Sequence, residues 1–339
     1  MSLQAVAARA KVSTATVSRV LNGVDVVKAS TRLRVMKAVA DLKYHPNLHA
    51  RSLAGAANKT IGVVVSNLDN PFFLDVYRAV ESDCRTHGYE VVVANTLYRP
   101  EQLAASVRMM LGRRVGGLAL IVSEMDDEIV EELTEGKMPV VFYDAGTAGG
   151  HVTKIGVNYR RGVERIVDYL TSLGHTDIGF IGHHTGLAPL NVRLNAVVEC
   201  ARAIGPHITV RQALNEDSLQ GGKRAAAELL SSGPPPGAVI CVNDIMAVGA
   251  MLELRERGLQ VPRDISVTGF DGIELSRYCY PALTTVNIPR DQIGHMIFRS
   301  LTAQAGDTEI IGREFTITPE LVVRESTGPA PRLAVERSQ

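Results

Sequence analysis

Residues 2–22 read SLQAVAARAKVSTATVSRVLN, and the reading of the front end turns on them. Leu3, Val6, Ala7 and Ala10 recur at i, i+3, i+4 and i+7, giving one apolar helix face with Arg9 off it. Lys11-Val12-Ser13 breaks the pattern, and Val17, Val20 and Leu21 resume it on a second helix that Ser13 can N-cap. Two short helices across a three-residue turn have the geometry of helix-turn-helix DNA readers, in which the second helix enters the major groove. Its outward face here is Thr14, Ala15, Thr16, Ser18, Arg19 and Asn22. Hydroxyls, an amide, a methyl and a guanidinium are the groups that read base edges or grip phosphate. The same pattern also fits a helical hairpin showing a polar face to water, so pattern alone does not choose.

Charge chooses. The chain holds 36 Lys and Arg against 36 Asp and Glu, so its net charge of zero says nothing about partners. Residues 1–59 hold ten basic side chains and only Asp25 and Asp41 as acids, a balance of +8 that leaves −8 for the rest. A basic head on an acidic body is the footprint of a polyanion that only the head touches.

Length and composition bound the rest. A chain of 339 residues carries two or three full cores. No apolar run approaches the ~18 residues that read as a membrane span, and Arg9 and Lys11 interrupt any apolar leader, so a cytoplasmic protein is expected. Cys84, Cys200, Cys241 and Cys279 are far apart and form no C-x-x-C pair, as in reduced thiols without a metal or redox role.

Ser30 or Thr31 can cap a third helix striped by Val35, Val39 and Leu42, closing a head over residues 1–46. His45-Pro46 ends it, and Asn47 to Ala54 follows as an eight-residue helical pattern bounded by Gly55. A helix that short does not persist alone, since isolated helices need ~12–15 residues. Residues 47–59 therefore form a linker that orders only when something packs on it. From Ile61 apolar runs alternate with amphipathic helices. Strands are predicted at 61–65, 90–94, 117–122 and 140–143, then at 178–181, 239–242 and 265–270. Two rounds of this βαβ rhythm predict two doubly wound parallel sheets. A return strand at 283–288, a helix at 291–303 and short strands at 314–317 and 321–323 are expected to rejoin the first sheet. The expected lobes are thus 60–158 plus 289–326, and 159–288, with 327–339 as a loose tail.

Leu3-Gln4-Ala5-Val6-Ala7, the run Val12 to Asn22, Tyr44-His45-Pro46-Asn47 and Ala50-Arg51-Ser52-Leu53 together resemble the lactose/galactose repressor (LacI/GalR) family of bacterial transcription regulators. The resemblance continues through Asn70-Pro71-Phe72-Phe73, Cys241-Val242-Asn243-Asp244, Gly269-Phe270-Asp271 and the run Pro281 to Val286, and so covers residues 2 to about 326. The sequence departs from the family pattern at Ala5, usually acidic, and at Lys11, usually glycine. The resemblance implies an α/β fold: a small all-α helix-turn-helix head plus two periplasmic-binding-protein-like lobes. It implies a homodimer that binds double-stranded, pseudo-palindromic operator DNA and is switched by a small-molecule effector in the cleft. Residues 47–54 would be a hinge helix that forms on DNA, with Leu53 wedged into the minor groove and Asn47 and Arg51 near phosphates or the groove floor.

Doubly wound sheets bind ligands at the C-terminal ends of their strands, and six candidates fall there. Phe72 and Phe73 either stack on a ligand face or pack as core aromatics. Asp144 follows the fourth strand and is otherwise a loop cap. Arg193 matches the family arginine that clamps ligand oxygens, although Ala196 stands where glycine is usual. Asn243 and Asp271 suit paired hydroxyls, with helix capping as the other role open to Asn243-Asp244. These groups point to a sugar or sugar acid, with a purine as the alternative. Enzyme readings find no support: no G-x-S-x-G, P-loop or H-E-x-x-H motif occurs, and His183-His184 has no partner at metal spacing. No cofactor or metal is expected. A solute-binding protein shares the two-lobed body but would need an export signal and no basic head.

Overall fold

The computed structural model describes residues 2–21, 26–44, 58–184, 188–303 and 312–331. The chain forms two compact units, Met1–Asn58 and Lys59–Gln339.

In the first unit α1 (Leu3–Ala10), α2 (Thr14–Leu21) and α3 (Ala29–Asp41) close on a small core. Val6, Ala7, Ala10, Val17, Val20, Val35 and Ala38 are buried there; all but Ala38 are positions that the helical spacing selects, and the selected Leu3, Leu21, Val39 and Leu42 pack around them partly buried. The Ser2 hydroxyl accepts from Ala5 N and that of Ser13 from Thr16 N at 3.2 Å, so each helix of the pair starts on a serine cap. Lys11 closes α1 with φ of 51°. A left-handed residue there is what glycine supplies without strain, and a lysine pays about 1 kcal/mol for it.

The second unit holds two six-stranded sheets. The first has the order β11-β5-β4-β3-β1-β2 and is parallel throughout. Its strands are β1 (Thr60–Val65), β2 (Glu90–Asn95), β3 (Gly117–Ile121), β4 (Val140–Tyr143), β5 (Val152–Val157) and β11 (Glu314–Ile317). The second has the order β12-β10-β9-β8-β6-β7, made of β6 (Asp177–His183), β7 (Thr209–Asn215), β8 (Ala238–Cys241), β9 (Ser266–Asp271), β10 (Thr284–Asn287) and β12 (Glu320–Val322). Strand order reverses between β1 and β3 in one sheet and between β6 and β8 in the other, and crevices open at such switch points. The helices that follow β1, β6 and β8 are α4 (Pro71–Thr86), α8 (Ala188–Ile204) and α10 (Asp244–Glu256).

Two strands absent from the sequence reading are β5 and β7. β7 lies at a sheet edge and β5 beside the edge strand β11. TVRQALN is largely polar and poorly buried, and VTKIGV, though half buried, is interrupted by Thr153, Lys154 and Gly156, so neither shows the continuous apolar run of a doubly covered strand.

The C-terminal pieces divide between the lobes. α12 (Arg290–Thr302) lies on α4 so closely that a Cβ at Gly294 would sit 2.9 Å from the Val76 carbonyl oxygen, and β11 pairs with β5. β12 instead runs antiparallel along β10 in the second sheet, not in the first as expected. Two residues, 318 and 319, separate it from β11; that is too short for a crossover back into a parallel sheet but long enough to step between lobes, as 158 and 288–289 also do. The expected lobe boundary at 326 therefore moves to 318–319. Of the expected loose tail, the described residues 327–331 are docked: the Thr327 and Thr284 hydroxyls lie 2.9 Å apart and Ala330 N donates to Leu173 O at 2.8 Å.

Candidate functional site

On α2 of the head, Thr14, Ala15 and Arg19 are exposed, while Thr16 and Ser18 are half-buried. The Thr16 and Ser13 hydroxyls lie 2.9 Å apart, which fixes the Thr16 side chain at the start of the helix. Val17 and Val20 face inward, so burial splits α2 as the sequence pattern does. Asn22, Asn47, Arg51 and Leu53 lie outside the described residues.

In the second unit a cavity of about 40 Å³ lies between the C-terminal ends of the two sheets, and all six cleft candidates line it. That volume holds about three water molecules, so the lobes are closed on one another. Asn70 accepts from Phe72 N at 3.0 Å and, with Pro71 at the first turn, starts α4 so that Phe72 and Phe73 face the cavity. Their rings meet edge-on at 5.3 Å, and both are buried. Each is thus core aromatic and cavity wall at once.

Asp144 sits just past β4 with φ of 54°. One oxygen accepts from Val157 N at 2.7 Å, and the other takes the hydroxyl hydrogen of Tyr159, the first residue of α7 (Tyr159–Ser172). Tyr143 lies 3.3 Å from the same Tyr159 hydroxyl. Asp144 both caps the step between lobes and borders the cavity. Burial lifts its pKa to about 6, against the pull of these donors.

Arg193 extends from α8 across the cavity. Its Nη1 donates to Val242 O at 2.6 Å and stands 3.9 Å from Asp271 Oδ1. The guanidinium stacks 4.6 Å from the centre of the Tyr159 ring and 5.2 Å from that of Phe270. Asn243 caps α10 by accepting from Met246 N at 2.9 Å, the capping role open to it, and its Nδ2 donates to Asp217 at 2.6 Å at the cavity wall. Asp244 faces away from the cavity: it accepts from Ile273 N at 2.8 Å and from Thr285 at 2.5 Å. Asp271 ends β9 with φ of 101°, and burial pushes its carboxyl well above the usual carboxylate range. Arg290 steadies that turn, donating to the Asp271, Ile288 and Gly272 carbonyls while pairing with Asp75 of α4 at 3.1 Å.

Tyr98, Tyr143, Tyr159, His183 and Asp217 also line the cavity, and the sequence reading placed none of them there. Asp217 follows β7, and with β7 unread no strand end pointed to it. Tyr98 follows β2 and was open to the strand-end argument that found Asp144. Burial lowers the pKa of His183, which favours the neutral imidazole.

Among known proteins, residues 2–47 match the family described as bacterial regulatory proteins, lacI family, and residues 167–327 match a periplasmic binding protein-like domain. The chain is 36% identical to an HTH-type transcriptional repressor PurR of Vibrio campbellii, across 96% of this chain and 98% of that one. Its fold is similar to the lac repressor dimer bound to operator and the anti-inducer ONPF, with a TM-score of 0.83, 29% identity and coverage of 97% and 99%. It is also similar to a LacI family regulator from Enterococcus faecium with bound ribose, at TM-score 0.69, 27% identity and coverage of 80% and 99%. No described helix is long and apolar enough to cross a membrane.

Proposed function

The chain belongs to the LacI family of bacterial regulatory proteins, DNA-binding repressors with a periplasmic-binding-protein-like ligand domain, and we propose that an uncharged sugar in the inter-lobe cleft switches this repressor. The observation that carries the effector class is the charge around the cavity. Asp144, Asp217 and Asp271 face a single guanidinium, Arg193, which is already engaged with Val242 and Asp271. A sugar acid or sugar phosphate would bring further negative charge into that group at low dielectric. Neutral hydroxyls instead donate to the carboxylates and accept from Arg193 and Asn243, while Phe72 and Phe73 supply apolar ring faces. A purine is the second reading, favoured by the number of aromatic rings on the cavity and by similarity to repressors named PurR.

On DNA, Thr14, Ala15, Thr16, Ser18, Arg19 and Asn22 meet the major groove, and Asn47, Arg51 and Leu53 meet the minor groove. The repressor acts in the cytoplasm as a homodimer, each head taking one half-site. The face that pairs is the apolar groove bordered by Leu252, Leu275 and Tyr280, with Tyr278 and Tyr280 75% and 92% exposed. Effector binding alters lobe closure and with it the spacing of the heads, so ligand and operator affinities are linked reciprocally.

A thermal-shift screen of the full chain against neutral sugars, sugar acids and purines tests the effector class. A neutral sugar raises the melting temperature in proportion to the logarithm of its concentration. Stabilisation by sugar acids alone, or by purines alone, contradicts it.

A further inference from the structure

Leu97 and Tyr98 are consecutive residues in the left-handed region, with φ of 54 and 59°, a conformation costly for bulky side chains. A knot of hydrogen bonds over-determines them. The buried Glu124 carboxylate accepts from Ser66 Oγ at 2.5 Å, from Ser123 N at 3.1 Å and from the Thr96 hydroxyl. It thereby ties together the residues just beyond β1, β2 and β3. Thr96 N donates to Val65 O at 3.0 Å and Tyr98 N to Ser66 O at 3.3 Å. So anchored, Tyr98 points out of its own lobe and into the other. Its hydroxyl donates to Asp217 at 2.5 Å, and its ring lies 6.0 Å from that of His183 at an interplanar angle of 26°.

This bridge stands at the mouth of the cavity. Tyr98 and Asp217 are half-buried, and their neighbours Leu97, Arg99 and Glu216 are exposed, whereas Asn243 and Asp271 on the cavity floor are buried. Both Asp217 oxygens are occupied, one by Tyr98 and one by Asn243.

We propose that Tyr98 is a specificity-determining residue of the cleft: bridged to Asp217, it bars the mouth and limits the effector to a single ring. The inference rests on the reading of the cleft as a sugar site. A second ring extending outward from the first must break the Tyr98–Asp217 bond and separate the Tyr98 and His183 rings.

The test has two arms, both on the full chain. In the first, calorimetry compares glucose, galactose and xylose with cellobiose, lactose and xylobiose. The wild type favours single rings by at least about tenfold, and Tyr98→Ala narrows that ratio by about tenfold. Equal affinity of the wild type for a disaccharide and its component, or an unchanged ratio in Tyr98→Ala, overturns the size limit. Absence of binding by the whole panel rejects the sugar reading and the size limit with it. The second arm needs no ligand. Amide hydrogen exchange over segments 95–99 and 213–218 is followed in Tyr98→Phe, Asp217→Ala and the double variant. Either single change speeds exchange in both segments several-fold and the double adds nothing, as a bridged pair requires. Additive effects overturn the bar itself, whatever the cleft binds.

Discussion

Asp144, at the end of a strand of the first sheet, accepts a hydrogen bond from Tyr159, the first residue of a helix of the second lobe. The same tyrosine ring carries the Arg193 guanidinium. One contact thus joins the step between lobes, the cavity wall and its cation.

Because burial raises the Asp144 pKa to about 6, the carboxyl holds its proton more tightly in the folded chain than in the unfolded one. The linked stability is fully present below the unfolded value near 4 and is lost as pH rises through about 6. Asp144→Asn, which keeps an oxygen for Tyr159, should remove this dependence. Between pH 4 and 7 the wild type should lose on the order of 2 kcal/mol relative to the variant, two pKa units at about 1.36 kcal/mol each being the ceiling. Chemical denaturation at each pH measures it, and parallel curves for the two proteins would show that Asp144 titrates as an ordinary carboxyl.

Arg193→Met removes the cavity's cation and its hydrogen bond to Val242 while keeping much of the packing on Tyr159 and Phe270. Asp271 is then left buried without its partner, and a stability loss of about 1–3 kcal/mol is expected. Effector affinity should fall at least about 100-fold, with non-specific duplex binding unchanged. Wild-type response to effector in this variant would remove Arg193 from the site.

Much of this architecture is legible in the sequence, for a physical reason. Central parallel strands are covered on both faces, so runs such as 61–65 and 117–121 must be apolar and stand out. β5 and β7 answer to weaker demands, and Lys154, Arg211 and Gln212 sit in them without conflict. That loss propagates to function, because Asp217 is recognisable only as a residue at the end of β7. The six cleft residues read from the sequence meet at one cavity: five follow strand ends, a local property, and Arg193, on a helix, is legible only through the family resemblance. What sequence does not carry is pairing across lobes: Tyr98 with Asp217 and Asp144 with Tyr159 depend on the way the lobes close.

The exposed Tyr278 and Tyr280 beside Leu275 predict that Tyr280→Asp, at a side chain that is 92% exposed, leaves the fold intact but weakens the homodimer. Burying one carboxylate in an apolar interface without a partner costs several kcal/mol. Sedimentation should show monomer at micromolar concentration, where the wild type is dimeric. An unchanged dimer would place the interface elsewhere.

Leu53→Ala should weaken binding to a specific duplex by at least about tenfold, from loss of a wedge that pays for unstacking a base step, and leave non-specific binding nearly unchanged. Competition binding with selected and random duplexes measures both. Equal losses would deny Leu53 a role in bending the site.

The most direct test is the salt dependence of duplex affinity for the full chain, with duplexes selected from a random pool and titrated between 50 and 200 mM salt. A head carrying a balance of +8 over residues 1–59 should contact about five to seven phosphates per dimer or more, and each contributes a slope of about −0.9 in log affinity against log salt. The account predicts a slope of about −5 or steeper, lost when Arg19 and neighbouring head cations are neutralised. A slope near zero, or one that survives their neutralisation, contradicts it.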